Sequence, residues 1–193
     1  MTQRENGVVI GTVSDLQDPE RIGRVRVKLP QFDDQQTGWA RIVTPMAGKD
    51  RGFFFQPEVG DEVLVVFENG DPRRAYVLGA LWSKVDTPPP RDGNDPQNNI
   101  RLIKSRSGHK VTLDDTSGSE KIVITDKSGA NTLTWDAANN KITIESGKGD
   151  MDINAPAGTL TISAKTIEIK ASADMTVQAS AQLTVKGLPV NIN

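Results

Sequence analysis

The sequence predicts an all-β chain in two parts, a small N-terminal barrel followed by a rod shared among three copies. Three observations carry this expectation. Between residues 7 and 81, five runs rich in Val, Ile and aromatics are separated by turn clusters of Gly, Pro, Asn and Asp, as short strands around a closed sheet would be. From residue 100 onward the chain repeats an apolar-x-apolar triplet, which puts two aliphatics on one face of a short strand. No segment has the i, i+3, i+4, i+7 apolar spacing of a long helix.

The barrel strands are expected at Gly7 to Val13, Gly23 to Leu29, Trp39 to Val43, Glu62 to Phe67 and Arg74 to Leu81. In the second, Val25, Val27 and Leu29 alternate with Arg24, Arg26 and Lys28, the period of a strand with one wet face. Turns fall at Gln17-Asp18-Pro19-Glu20, Gly60-Asp61 and Asn69-Gly70-Asp71-Pro72. Eight of the nine aromatics precede residue 90, so this half can fill a compact core. We place the barrel domain at 1–84 and a stiff linker at 85–98, where Pro88-Pro89-Pro90 leads into polar turn formers ending at Pro96.

The rod domain is expected at 99–193. Its triplets are Ile100/Leu102, Val111/Leu113, Ile122/Ile124, Leu133/Trp135, Ile142/Ile144, Met151/Ile153, Leu160/Ile162, Ile167/Ile169, Met175/Val177, Leu183/Val185 and Val190/Ile192. Their spacing shortens from 11 residues to 7 or 8. A single-chain solenoid coil with three faces needs roughly 18 or more residues per turn, whereas one strand plus one turn fits a period of about 8. If three chains each supply one face, the aliphatic pairs meet on a threefold axis, giving an intertwined homotrimeric triangular β-helix or β-prism. The trimer core is then Ile142, Ile144, Met151, Ile153, Leu160, Ile162, Ile167, Ile169, Met175, Val177, Leu183 and Val185. From Met151 to the C-terminus there is no aromatic and only six charged residues, with Ser, Thr and Ala abundant, which keeps such a shaft narrow.

Composition removes several functions. With 23 Lys+Arg against 25 Asp+Glu, the formal net charge is -2, and no basic field exists to hold nucleic acid. The absence of Cys excludes disulfides, thiol catalysis and Cys-ligated zinc. One His, His109, makes a Ser-His-Asp triad or a multi-histidine metal site hard to assemble within one subunit. The longest apolar run, Val63 to Phe67, is a strand's length, not the roughly 20 residues of a membrane-crossing helix. The polar start, Met1 to Asn6, carries no signal core, so folding in the cytosol is expected.

The stretches Gly23-Arg24-Val25-Arg26-Val27-Lys28-Leu29-Pro30, Trp39-Ala40-Arg41-Ile42-Val43, Gly52-Phe53-Phe54-Phe55-Gln56-Pro57-Glu58-Val59-Gly60-Asp61-Glu62-Val63-Leu64-Val65, Phe67-Glu68-Asn69-Gly70-Asp71-Pro72 and Val77-Leu78-Gly79-Ala80-Leu81-Trp82 resemble the OB-fold domain of phage baseplate spikes and of type VI secretion VgrG spikes. The stretch Ile103 to Thr116, with Gly118 to Asp126, looks like the needle of the same spikes. The resemblance implies an OB-fold collar bearing a trimeric needle, at the tip of a contractile injection machine. It implies docking on a baseplate hub protein, an indirect link to the inner tube, and transient contact with a target membrane on piercing. It also implies no catalysis and no cofactor, with assembly in the cytoplasm and then a place in a phage tail baseplate or secreted particle. The hub domains and the lysozyme domain that some relatives carry have no counterpart in this sequence, so a separate hub chain is expected. Ala75 stands where many relatives have Pro.

Candidate sites stand beside plainer readings. His109 is a weak metal candidate if three copies meet on the axis, and more simply a turn histidine. No His-x-His tip is present, so the terminal Leu188, Val190 and Ile192 are expected to form an apolar face for a partner, which by resemblance is a PAAR-like tip protein. Asp114, Asp115, Glu120 and Asp126 have the residue types of a carboxylate pair or Ca²⁺ site, but they flank turns, where Asp bonds its own backbone. Phe53-Phe54-Phe55 is expected in core packing or against a hub. The competing function is an OB-fold module that binds carbohydrate or a receptor on a trimeric fibre stalk; 11 Lys+Arg against 13 Asp+Glu before residue 91 disfavour oligonucleotide.

Overall fold

The computed structural model describes residues 7–89 and 96–191. Residues 90–95 of the expected linker, and Ile192, lie outside the described residues. Among the described residues the regular structure is β-strand apart from two single-turn 3₁₀ segments, Pro30–Phe32 and Glu68–Gly70, and the chain divides into two compact units, Met1–Glu145 and Ser146–Asn193.

The first unit begins with a barrel. Its long strands are β1 (Val8–Asp15), β2 (Arg26–Leu29), β7 (Glu62–Phe67) and β8 (Ala75–Ala80), with shorter β3 (Gln35–Gln36) and β4 (Arg41–Ile42). The sheet runs β3-β2-β1-β7-β8-β4, antiparallel except for β4 beside β8. Val25 and Ala40 exchange backbone hydrogen bonds of 3.0 and 2.8 Å, linking the residue before β2 to the one before β4. That bridge closes the sheet on itself and covers two edges at once. The two-residue strands β5 (Ala47–Gly48) and β6 (Arg51–Gly52) form a separate hairpin.

Alternation decides what fills the barrel. Along β7, Val63, Val65 and Phe67 are buried while Glu62, Leu64 and Val66 are half-exposed, and Val25, Val27 and Leu29 point inward from the β2 segment. Phe32 meets Phe67 edge to face at 6.4 Å, near the optimum for a ring pair. Gly11 is required where β1 crosses β2: a Cβ there would overlap the Val27 side chain and come within 2.8 Å of the Lys28 carbonyl. Buried Thr37 replaces a ladder partner, its Oγ1 accepting from the Val27 N–H at 3.1 Å and donating to the Gly38 carbonyl at 2.7 Å.

After the barrel, β9 (Ile100–Lys104), β10 (Lys110–Asp114), β11 (Lys121–Thr125), β12 (Asn131–Asp136) and β13 (Lys141–Ser146) form an antiparallel meander in sequence order. Gly108, Gly118 and Gly129 have positive φ in its turns, a conformation that glycine adopts without a Cβ clash. The second unit contains no assigned strand among its described residues beyond the end of β13.

Candidate assembly surfaces

Three features present chemistry to the outside, and each is built by a different local device. The first is the aromatic segment on the barrel. Asp18 sits in the loop between β1 and β2 with its side chain 3% exposed, although the sequence marks it only as a turn residue. Its carboxylate accepts the N–H groups of Glu20, Ile22 and Arg24 at 3.0 to 3.2 Å and the Arg24 guanidinium at 2.7 Å. The Arg24 guanidinium, aided by those N–H groups, holds this carboxyl well below the usual carboxylate range.

The loop so fixed carries Gly23, at φ +80°, against the Phe54 ring; a Cβ at Gly23 would stand 3.1 Å from that ring. The Phe53 N–H donates to the Met46 carbonyl at 3.0 Å, and Thr44 Oγ1 donates to the Phe53 carbonyl at 2.7 Å. Together these borders make a cleft of about 600 Å³ lined by Ile22, Ile42, Met46, Phe53 and Phe54, with Arg41, Asp50 and Arg51 on it as mixed charges. Phe53, Phe54 and Phe55 are exposed, Phe54 at 77%. This corrects the expectation of core packing: β-strand alternation fills the barrel with aliphatics and Phe67, leaving the triple outside.

The second feature is one face of the meander. Ladder partners share a face, and the registers pair Val111 with Ile103 and Ile124, Leu113 with Ile122, Ile122 with Trp135, and Ile124 with Leu133. The opposite face carries the rows Lys104-Lys110-Thr125-Thr132 and Asp114-Lys121-Asp136. The first triplet, Ile100/Leu102, therefore lies on the polar face beside Asp114 and Thr112, and Ile103 takes its place among the aliphatics. A five-residue strand with apolar side chains on both sides gives no parity from sequence, so only the register reveals this.

The third feature is the second unit. Every described residue from 147 to 191 is exposed, and among residues 151–191 the one backbone hydrogen bond is Gly158 N–H to Ala155 O at 3.2 Å. Each aliphatic pair here, from Met151/Ile153 through Leu160/Ile162, Ile167/Ile169, Met175/Val177 and Leu183/Val185, has its first member less exposed than its second. Ile142 and Ile144, on β13 in the first unit, are exposed as well. Within one chain none of these twelve residues is buried. At the end of the described tail, Leu188 is fully exposed and Val190 nearly half-exposed.

The remaining candidates resolve into turns. The exposed His109 closes the hairpin between β9 and β10, its N–H donating to Ser105 Oγ at 3.0 Å and its carbonyl accepting the Ser105 N–H at 2.9 Å. Asp114 accepts the Thr116 N–H at 3.0 Å, which with Lys121 lowers its pKa. Asp115 pairs with Arg101 at 2.7 Å, and Glu120 accepts the Gly118 N–H. Asp126 and Asp136 are likewise lowered by Ser128 and Asn139. Among the described residues no three His, Cys, Asp or Glu groups gather to hold a metal, and no helix is long and apolar enough to cross a membrane.

Comparison with known proteins places the barrel. Residues 9–82 match the family described as the type VI secretion system/phage-baseplate injector OB domain. The chain is 27% identical over 131 residues to the type VI secretion system spike protein VgrG1a of Pseudomonas aeruginosa, covering 62% of this chain and 20% of that one. It is 30% identical over 132 residues to VgrG5 of the same organism, covering 62% and 16%. The actin cross-linking toxin VgrG1 of Vibrio cholerae is 27% identical over 110 residues, covering 53% and 10%. The chain thus spans a fifth or less of the length of these curated relatives.

Proposed function

We propose, from the premise that residues 9–82 are an OB domain of the type VI secretion and phage-baseplate injector family, that the chain is the central spike of a contractile injection machine. The observation that carries the proposal beyond the barrel is the tail: some forty residues with no assigned helix or strand, regularly spaced aliphatic pairs, and almost no backbone hydrogen bonds among the described residues. A segment with unpaired N–H and C=O groups and bare aliphatics is not stable alone in water. Two further copies supply both the missing ladder and the missing core. On this reading Ile142, Ile144 and the five tail pairs line the axis of a homotrimeric needle within a domain reaching from 99 to 193.

The mechanism is mechanical. Three OB barrels form a collar on a baseplate hub, coaxial with the inner tube, and sheath contraction drives the needle into the target envelope. At ~4.8 Å per strand layer, ten layers make a rod of roughly 50 Å. Strand pairing within each chain in the β9–β13 meander, and between chains in the tail, leaves few segments able to open separately under load. Leu188, Val190 and Ile192 would dock a PAAR-like tip protein at the blunt end. The chain itself performs no catalysis and needs no cofactor. The toxin relative's name belongs to a protein of which this chain matches one tenth.

The test is placement in the assembled machine. Immunogold electron microscopy of contractile particles from the producing cell is expected to put this chain at the baseplate end, on the tube axis. Label confined to free protein, or scattered along the sheath, would overturn the assignment.

A further inference from the structure

The aromatic segment of the barrel and the first hairpin of the meander meet at one ion pair. Arg106, in the turn between β9 and β10, donates to Glu58 Oε2 at 2.8 Å. Glu58 lies three residues beyond Phe55, so the exposed rings stand beside the start of the meander. That hairpin is basic. Lys104 and Lys110 are ladder partners on one face, and like charges directly opposite each other destabilise a sheet. Lys127 backs onto the same turn, its Cα 3.7 Å from where a Cβ on Gly108 would stand. Among the described residues none of these three lysines has a carboxylate partner. Nor has Arg51, whose side chain lies over Gly48 in the aromatic cleft. In a chain of formal net charge -2, four uncompensated cations gathered about three bare rings complement an anion with an apolar body.

We infer that this junction is a docking surface for an anionic lipid bilayer. Phe53, Phe54 and Phe55 enter the boundary between headgroups and acyl chains, while Lys104, Lys110 and Lys127 sit on lipid phosphates. Aromatic rings flanked by long cationic side chains suit that boundary layer, where the rings are buried and the charged heads stay wet. Each cation adds to the attraction of an anionic leaflet. The charge pattern favours lipid over a protein partner: a leaflet presents phosphates all along its plane and so offsets the Lys104–Lys110 repulsion, whereas a protein would need a carboxylate placed against each lysine. The inference goes beyond the spike reading and rests on it only for timing. A rod of roughly 50 Å exceeds a bilayer of about 40–45 Å, so the junction reaches the headgroups once the rod has crossed.

Co-sedimentation of the full-length protein with lipid vesicles, on samples first weighed by native mass spectrometry, tests this. The protein is expected to bind vesicles of phosphatidylglycerol and phosphatidylcholine about tenfold or more tightly than vesicles of phosphatidylcholine alone, and less tightly as salt rises. Phe54→Ser and Lys110→Glu are each expected to weaken that binding about tenfold or more, and Lys165→Glu, in the tail, by less than about twofold. Neither Phe54 nor Lys110 is buried, and a glutamate opposite Lys104 relieves a repulsion, so both variants should keep the wild-type melt. Indifference to lipid charge, or wild-type binding by both variants, would overturn the inference. Loss in Lys110→Glu with full binding by Phe54→Ser would mean a site for soluble anions and overturn it as well. A three-chain particle that ignores the vesicles, its rings covered by another copy or the hub, would overturn it and leave the spike reading standing. A single-chain mass that still binds anionic vesicles would support it while overturning the trimeric reading.

Discussion

Arg24 Nη2 stands 2.7 Å from Asp18 Oδ1 in a loop whose three N–H groups converge on the same carboxylate. Because the folded Asp18 is harder to protonate than a free Asp, of pKa about 3.9, the pair stabilises the barrel fully above that value. Its contribution is lost as pH falls below about 4 toward the lower folded value. Asp71, held down to about 2 chiefly by Arg73, adds a smaller term of the same sign, since Arg73 is exposed. Asp18→Asn is expected to lower the barrel's thermal midpoint at pH 7 by about 5–10 °C, because it removes the buried charge on which three N–H groups and Arg24 converge and leaves the guanidinium only Glu20, at 2.9 Å. It should also flatten the fall in midpoint between pH 4 and 2. Circular dichroism melts across that range read both effects.

The barrel core makes a separate prediction. Leu29 is fully buried in the core cluster that also holds Val13 and Val63, so Leu29→Ala is expected to cost about 2–5 kcal/mol. Gly11→Ala is expected to cost about 1–3 kcal/mol by overpacking against Val27. Denaturant titration of the barrel signal from Trp39 checks both, and neither change should alter the number of chains per particle.

Catalysis is tested directly. Incubation of the full chain with purified peptidoglycan is expected to release no soluble fragments above a buffer control, by chromatography. Turnover would contradict a purely mechanical spike.

How far the sequence reaches is seen in particular residues. Glu62–Phe67 is a strand with the bounds that its Val- and Phe-rich run predicts, but with Leu64 and Val66 outward the sequence alone does not say which residues face the core. The β5–β6 hairpin and β3 escape a sequence reading, since two-residue strands contain no period. Asp18 escapes as well: a turn aspartate and a buried ionic anchor look alike until the loop closes around Arg24. The aromatic triple is legible as unusual, but its exposure depends on the barrel being filled from other strands. In the tail, spacing alone marks the aliphatic pairs, and only the absence of in-chain partners shows what they lack.

Ile169→Asp separates assembly from folding of one chain. Ile169 is 72% exposed in the single chain, so a carboxylate there costs a monomer almost nothing. On a threefold axis the same change brings three like charges together in an apolar core. The expected outcome is loss of the oligomer with the barrel's melting unchanged. An oligomer of wild-type stability would show that Ile169 faces outward.

The central claim is that the tail is completed by two further copies of the chain, and native mass measured on the purified full-length protein tests it most directly. Three chains of 20.9 kDa give about 63 kDa, and that mass, surviving dilution and gentle heating in detergent, is the expected result. A stable particle of about 21 kDa whose tail nonetheless resists protease would contradict the account.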